Sequence, residues 1–177
     1  ARQAAKFPWV SANIEGPAKF APYFIKTVSG VRVAIVGITT ETVPSWEKKE
    51  NYAPLKFQSA VAVAKKTVAE LRASKKADVI VISAHTGLDR DTRTGVVHEQ
   101  SLANEQVAYQ IAESASADAV IFGHTHAELA SYKVGDVLMM QPRNWGMSLG
   151  EMDITVERDG ASWKISSNVS APDARRA

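Results

Sequence analysis

The amino-acid sequence predicts an α/β fold: a sandwich in which helices cover a mixed sheet. Short runs rich in β-branched residues alternate with amphipathic stretches along the 177 residues, which is the pattern of α/β proteins and not of a helical bundle or an all-β barrel. Residues 79–82 and 119–122 are also continuously apolar, as strands buried on both faces are. These two observations set the fold class, and the separate elements follow in chain order.

The N-terminal third of the chain predicts a hairpin followed by a long loop. Residues 7–14 and 24–28 have the composition of strands, and the Ser29-Gly30 turn leads into a third strand at 31–38. Residues 39–57 contain prolines, aromatics and mixed charges without any period, so we expect an irregular loop over the sheet. Loops of this length are often functional.

The middle of the chain predicts two helices and two buried strands. Apolar residues within 59–74 recur at helical spacing, with charged residues on the other side. The buried strand at 79–82 follows, and then a polar loop at 85–100. A second helix is expected from about 102 to 114, and it leads to the buried strand at 119–122.

The C-terminal part predicts antiparallel strands joined by tight turns. The expected strands are 128–134, 137–141, 148–156 and 162–166. Residues 167–177 have no period and predict a linker or tail, so residues 1–166 are expected to form one folded unit.

Composition excludes several classes of function. The 21 Lys and Arg residues against 19 Asp and Glu residues give a net charge of +2, and the basic residues are scattered, which argues against binding to DNA. No apolar stretch approaches the ~18 residues that a membrane span requires. The chain has no cysteine, which excludes disulfides, thiolate-bound zinc and thiol nucleophiles.

Histidines follow the two buried strands at the point where each strand ends. His85 follows the first, and His124 and His126 follow the second after Gly123. Ligands of open α/β sheets bind outside the carboxyl ends of the strands, so we expect the imidazoles to converge. In an extended segment residues i and i+2 face the same way, and Gly123 is expected to let the backbone approach closely. Imidazole is a common ligand of zinc, manganese and iron, and the pattern predicts a metal site.

Other polar residues near this site have simpler interpretations. A lone histidine such as His85 is more often a hydrogen-bonded loop residue than a ligand. His98 lies in a polar loop without a partner at ligand spacing, and we expect it to be exposed. Asp89 and Asp91 flank Arg90 and are expected to form a solvated loop, not metal ligands.

The histidine motifs carry a family resemblance. AHTG at 84–87 and GHTH at 123–126 resemble the last two metal-binding blocks of the calcineurin-like metallophosphoesterases. Within that superfamily the chain is similar to the secreted 5′-nucleotidase and 2′,3′-cyclic-nucleotide 2′-phosphodiesterase/3′-nucleotidase group. The segments that carry this second likeness are FPWVSANI at 7–14, VAIVGITT at 33–40, Asn104-Glu105 and RNWGMSLGEMDITV at 143–156.

The resemblance implies a metallophosphatase sandwich that hydrolyses nucleotide phosphoesters with two divalent ions, zinc, manganese or iron. It implies that His85 and His124 bind one ion and His126 the other. The segment containing Asn144 and Trp145 is closer to the cyclic-phosphodiesterase branch, so 2′,3′-cyclic or 3′-nucleotides are expected ahead of 5′-nucleotides. These two residues are candidates for substrate binding; the competing interpretation is a tryptophan packed over a glycine turn. The resemblance also implies a periplasmic or secreted protein.

The sequence departs from the family in its N-terminal motifs. The family's Asp-x-His, bridging Gly-Asp and Gly-Asn-His-Glu blocks do not occur, and Gly135-Asp136 follows GHTH within a predicted turn. We therefore assign no catalytic residue in this chain and expect residues 1–166 to be the C-terminal part of a catalytic domain, whose N-terminal half would be its partner. Three neutral imidazoles cannot offset the repulsion between two dications, so the chain alone is expected to bind one ion weakly and to be inactive.

Two rival functions stay open at this point. A thiosulfohydrolase uses the same metal blocks on the same scaffold. A non-catalytic binding or assembly module with a decayed metal site would also lack the N-terminal motifs, although it has no physical need for the three histidines.

Overall fold

A six-stranded mixed sheet forms the centre of the computed structural model, which describes residues 4–17, 19–160 and 162–170. Its strands are β2 (Tyr23–Val28), β3 (Val31–Thr39), β5 (Val79–His85), β6 (Ala119–Phe122), β7 (Leu129–Val134) and β8 (Val137–Gln141). They lie in the order β2-β3-β5-β6-β8-β7. The four central strands β3, β5, β6 and β8 are parallel, and the edge strands β2 and β7 are antiparallel to their neighbours.

Two helices, α2 (Ala60–Ala73) and α3 (Ala108–Ala115), cover one face of the sheet. Their buried apolar residues, among them Leu71 and Ile111, belong to one apolar cluster with Ile80 and Ile82 of β5. The α2 helix begins after Ser59, whose hydroxyl accepts a hydrogen bond from the backbone N–H of Ala62, a standard cap for the first turn.

An antiparallel ribbon, β9 (Glu151–Asp159) with β10 (Ser162–Ser170), lies against the other face of the sheet. Val79 and Val81 of β5 are buried in a second apolar cluster, against which Ile154 and Val156 of the ribbon pack. Strand β5 is therefore buried on both faces, as its continuous apolar run predicts.

The predicted hairpin, the first helix and the two buried strands are confirmed to within a few residues. The segment 39–57 is mostly loop, as expected, but it contains a 3₁₀ turn (Val43–Ser45), the one-turn helix α1 (Lys49–Tyr52) and strand β4 (Lys56–Phe57).

The predicted strand at 7–14 is wrong. Only Ile14–Glu15 form a strand, β1, which pairs with β4. The large aromatic side chains of Phe7 and Trp9 are exposed and do not face the core, while the polar Ser11 and Asn13 are buried. The side chain of Asn13 instead accepts from the backbone N–H of Thr39 at 2.9 Å and donates to the Thr39 carbonyl at 2.6 Å. This pairing fixes the segment across the end of β3.

The second helix begins six residues later than predicted, at Ala108 instead of about 102. Ala103, which the sequence places near the start of this helix, is exposed. Asn104 has a left-handed backbone with φ +63°, which interrupts helical geometry. Residues 101–107 therefore form turns that lead into α3.

The C-terminal strands differ from the prediction in two ways. Strand β8 is antiparallel to β7 but parallel to β6, so it belongs to the mixed sheet. The ribbon begins at Glu151 and extends to Ser170, four residues beyond the predicted boundary at 166, because every residue of β10 pairs with β9. Residues 171–177 of the predicted tail lie outside the described residues.

No helix in the described part of the chain is long and apolar enough to cross a membrane.

Candidate functional site

The candidate site lies at the carboxyl ends of the parallel strands β5 and β6. Ala84 pairs with Phe122 in the register of these strands, so His85 and the GHTH segment leave neighbouring strands at the same edge of the sheet. Thr39, at the end of β3, pairs with His85 on the other side. The topology thus brings three chain segments to one edge, as expected for the ligand crevice of such sheets.

The structure brings His85 and His124 together. Nε2 of His85 lies 3.3 Å from Nδ1 of His124. The two ring centroids are 5.1 Å apart, and the ring planes are inclined by 69°. Two ring nitrogens from separate strands therefore lie close enough together to contact a single small ion.

Glu105 holds the other nitrogen of His124. Its Oε1 lies 3.0 Å from Nε2 of His124, and both side chains are largely buried. An ionised carboxylate only accepts hydrogen bonds, so Nε2 of His124 carries the proton and donates to Glu105. The lone pair of a neutral His124 is then on Nδ1, the atom that faces His85.

Two tryptophans flank the histidines. Trp46 stacks on His124 with ring centroids 5.7 Å apart, and Trp145 meets the edge of His126 at 5.8 Å. Trp145 is 86% exposed, so it is not packed over a glycine turn as a core residue. It lies in a 3₁₀ turn, Asn144–Gly146, and Asn144 is half-buried.

The GHTH segment is not the extended strand that the i, i+2 spacing presumes. His124 has φ +95° and His126 has φ +59°, both in the left-handed region that L-residues adopt at a cost. Each of the two imidazoles packs against a different tryptophan, and no direct contact joins them in the described structure.

Thr125 anchors the segment between the two histidines. Its hydroxyl and the buried Gln141 side chain exchange hydrogen bonds of 3.1 and 3.2 Å. Gly87 provides the close approach, because a Cβ there would overlap the methyl group of Thr125. The close approach expected at Gly123 is not found, since a Cβ there would meet nothing within 4 Å among the described residues.

The pKa of His85 lies below the usual histidine value. Partial burial is the main cause, and the neighbouring charges of His124 and His126 contribute. His85 is therefore neutral at neutral pH, which is the form of imidazole that binds a metal.

The remaining candidates lie apart from this cluster. His98 is exposed, as predicted. Asp89 is not part of a solvated loop, because it is 2% exposed and pairs with Arg90 at 3.0 Å. The Arg90 guanidinium lies over the ring of Tyr109. Asp91 accepts from the backbone N–H groups of two following residues and shapes its own turn.

The residues present match part of a metal site. The described residues contain no group of three His, Asp or Glu side chains arranged to hold an ion. The 3.3 Å between the nitrogens of His85 and His124 nevertheless fits two ligands of one ion, because two nitrogens bound at ~2.0–2.1 Å to tetrahedral zinc lie roughly 3.3–3.4 Å apart. Two imidazole nitrogens that can bind a metal ion are therefore suitably spaced, and further metal-binding atoms are needed to complete the coordination.

Sequence reasoning missed two residues that contact the site. Trp46 lies in the long loop at 39–57, whose length alone marked it as functional. The family resemblance includes Asn104-Glu105 but gives Glu105 no role. The sequence places Glu105 on the second helix, whereas in the structure it precedes α3. No periodicity indicates either contact, because both residues reach His124 from irregular segments.

Comparison with known proteins identifies the family of this chain. A family model described as "Bacterial capsule synthesis protein PGA_cap" matches residues 2–138. The chain belongs to this family. It is 29% identical over 188 residues to the 2′,3′-cyclic-nucleotide 2′-phosphodiesterase/3′-nucleotidase of Salmonella typhimurium, a match that covers 91% of this chain and 28% of the relative.

Solved structures confirm the fold and the resemblance. The calcineurin-like phosphoesterase YfkN of Bacillus subtilis superimposes with a TM-score of 0.82 at 26% identity, covering 98% of this chain and 58% of that one. The sulfate thiohydrolase SoxB of Thermus thermophilus gives a TM-score of 0.70 at 20% identity, covering 97% and 30%, and shows the fold alone. The relatives that this chain matches include nucleotide phosphoesterases, and the chain spans only 28% of the length of the Salmonella relative.

Proposed function

We propose that this chain is part of a metal-dependent enzyme that hydrolyses nucleotide phosphoesters. The observation that carries the proposal is the 3.3 Å approach of His85 Nε2 to His124 Nδ1 at the ends of two parallel strands. The 29% identity to a cyclic-nucleotide phosphodiesterase supports the same chemistry.

The proposed roles follow from the contacts of each histidine. His85 binds one divalent ion through Nε2 and His124 binds the same ion through Nδ1, while His126 serves a second ion. When bound, the two ions supply Lewis-acid stabilisation of the attacking and leaving oxygens of a phosphoester. The remaining ligands and the proton donor come from polypeptide outside these residues.

The proposed substrate crevice includes the turn at Asn144 and Trp145. Trp145 presents an exposed ring beside His126, and such a surface can stack on a nucleobase. We propose 2′,3′-cyclic or 3′-nucleotides ahead of 5′-nucleotides as substrates. Periplasmic or extracellular placement belongs to the same proposal, and cell fractionation tests it.

The first prediction tests this function in the complete natural polypeptide. His124→Asn is expected to lower bound metal and to slow hydrolysis of 2′,3′-cyclic AMP at least 100-fold, because it removes a ligand and the link to Glu105. Metal content by elemental analysis and initial rates on cyclic, 3′- and 5′-nucleotides provide the measurement, and a thiosulfonate substrate tests the thiosulfohydrolase alternative.

The matched control is His98→Asn, which changes an exposed loop histidine. Its metal content and rates should equal those of the unchanged protein. Hydrolysis that persists after complete metal removal, or a His124→Asn variant as active as the control, would exclude the proposed mechanism.

A further inference from the structure

We propose that Glu105 is a positioning residue that fixes the tautomer and the orientation of His124 for metal binding. This inference rests on the proposed function and adds to it a residue outside the three histidines. Its first support is the 3.0 Å contact between Oε1 of Glu105 and Nε2 of His124. A carboxylate on the far nitrogen of a ligating imidazole holds the ring and makes the near nitrogen more basic.

The backbone of Glu105 is fixed by the segment that carries the other histidine. The hydroxyl of Thr86 donates to the Glu105 carbonyl at 2.7 Å and accepts from the backbone N–H of Val107 at 2.9 Å. Thr86 is fully buried and follows His85 directly. The segment that presents His85 therefore also locates the carboxylate that orients His124.

A second set of contacts fixes the residue before Glu105. The Asn104 side chain donates to Oε1 of Glu41 at 2.9 Å. The other oxygen of Glu41 accepts from the backbone N–H of Ala60 at 2.7 Å, at the first turn of α2. The left-handed turn at Asn104 is thus tied to a rigid helix, and this restricts where the Glu105 carboxylate can lie.

Glu105 and His124 are shielded from water. Their side chains are only 16% and 19% exposed, and Trp46 covers the His124 ring. Low exposure strengthens a charge-assisted hydrogen bond. Glu105, shielded from water together with His124, thereby provides a preorganised hydrogen-bond acceptor on the side of His124 that faces away from His85.

A purely structural role is the competing explanation. The contact could serve only to hold the 101–107 segment against the GHTH segment, in which case its loss would lower thermal stability and leave metal affinity unchanged in the folded protein. If Glu105 positions His124, its loss lowers the metal affinity of the folded protein, because the contact then stabilises the metal-bound state.

The test compares Glu105→Gln and Glu105→Ala with a control, Glu70→Gln, in the complete natural polypeptide. Glu70 is a carboxylate on the exposed side of α2, with 67% of its side chain accessible. Affinity for Zn²⁺ and Mn²⁺ is measured by competition with a chelator. Melting of the metal-free protein is followed by circular dichroism. The His124 tautomer is identified by ¹H–¹⁵N correlation of ¹⁵N-histidine, with the signal assigned from the His124→Asn variant.

The proposal expects metal affinity to fall about 10–100-fold in Glu105→Ala, less in Glu105→Gln, and not at all in the control. It also expects the metal-free unchanged protein to show His124 protonated at Nε2, with both tautomers in Glu105→Ala. If Glu105→Ala does not fold, the nearly isosteric Glu105→Gln carries the test. If the protein without substitutions binds metal and hydrolyses nucleotides, but the folded Glu105 variants have the same metal affinity, only this inference is overturned. If the protein without substitutions binds no metal, the proposed function is overturned as well.

Discussion

Gly87 and Thr125 determine how closely the two histidine-bearing segments approach each other. The Thr125 hydroxyl is bound to Gln141, so its methyl group cannot rotate away without loss of hydrogen bonds. Any side chain at position 87 would enter the space of that methyl group. The separation of His85 and His124 thus depends on a residue without a side chain two positions beyond His85.

Gly87→Ala is therefore expected to weaken both the fold and the proposed metal site. Overpacking of this kind costs about 1–3 kcal/mol, which urea unfolding of the complete polypeptide would measure, and metal affinity should fall because the GHTH segment must move. Gly123→Ala is the control, since a Cβ there has open space among the described residues and φ is not positive. Equal stability and equal metal affinity in the two variants would contradict the expectation.

At the residue scale, the sequence predicts the approach of His85 and His124 better than the residues that contact them. His85 and His124 were placed together because each follows a buried strand, and strand ends can be located from apolar runs. Glu105 and Trp46 reach His124 from segments without a period. Their contacts depend on how loops pack, which no local pattern encodes.

At the scale of elements, aspartates hold the starts of the two buried strands. Asp78 precedes β5 and accepts from Nε and Nη2 of Arg32 at 2.9 and 2.6 Å, which ties β5 to β3. Asp118 precedes β6 and accepts from the backbone N–H of Ile80 and from Arg72. These ion pairs fix the ends of the strands opposite the site.

The ion pair at Asp78 predicts an acid-sensitive contribution to stability. The hydrogen bond from Arg32 is the main reason that the pKa of Asp78 lies below its usual range. A lowered carboxyl pKa in the folded state stabilises the fold above the ordinary value of about 3.9, and this contribution disappears as the pH falls through the folded pKa. Asp78→Asn should therefore lower the urea midpoint at pH 6 and have much less effect near pH 2.

Asp136→Asn, in the exposed turn between β7 and β8, is the control for charge loss alone. It should leave the urea midpoint nearly unchanged at both pH values. An Asp78→Asn midpoint that differs from the unchanged protein by the same amount at pH 6 and pH 2 would show that the ion pair is not the cause.

The sequence correctly predicts the elements that have a continuous apolar run or a clear helical period. It does not predict the positions of elements that depend on tertiary contacts. The continuous apolar runs of β5 and β6 and the helical stripe of α2 need no other information. The segment at 7–14 has the composition of a strand, but its position depends on the Asn13 contacts with Thr39. The start of α3 likewise depends on Thr86 binding the Glu105 carbonyl.

At the scale of the whole molecule, the layers leave the site open on one side. Helices α2 and α3 cover one face of the sheet and the β9–β10 ribbon packs against the other. The histidines lie at the carboxyl edge, beside the exposed Trp46 and Trp145. The layers thus account for the core, and they leave the end of the sheet that carries the histidines uncovered by any helix or strand among the described residues.

The 177-residue chain expressed by itself is expected to bind a divalent metal only weakly. Once circular dichroism shows that it is folded, calorimetric titration with Zn²⁺ or Mn²⁺ should give at most one weak site and no turnover of 2′,3′-cyclic AMP. Neutral imidazoles carry no charge to offset the repulsion between two dications ~3.5–4 Å apart. His124→Asn should abolish the weak site, whereas His98→Asn should leave it intact. Two tight sites would show that this chain supplies more of the coordination sphere than the three histidines.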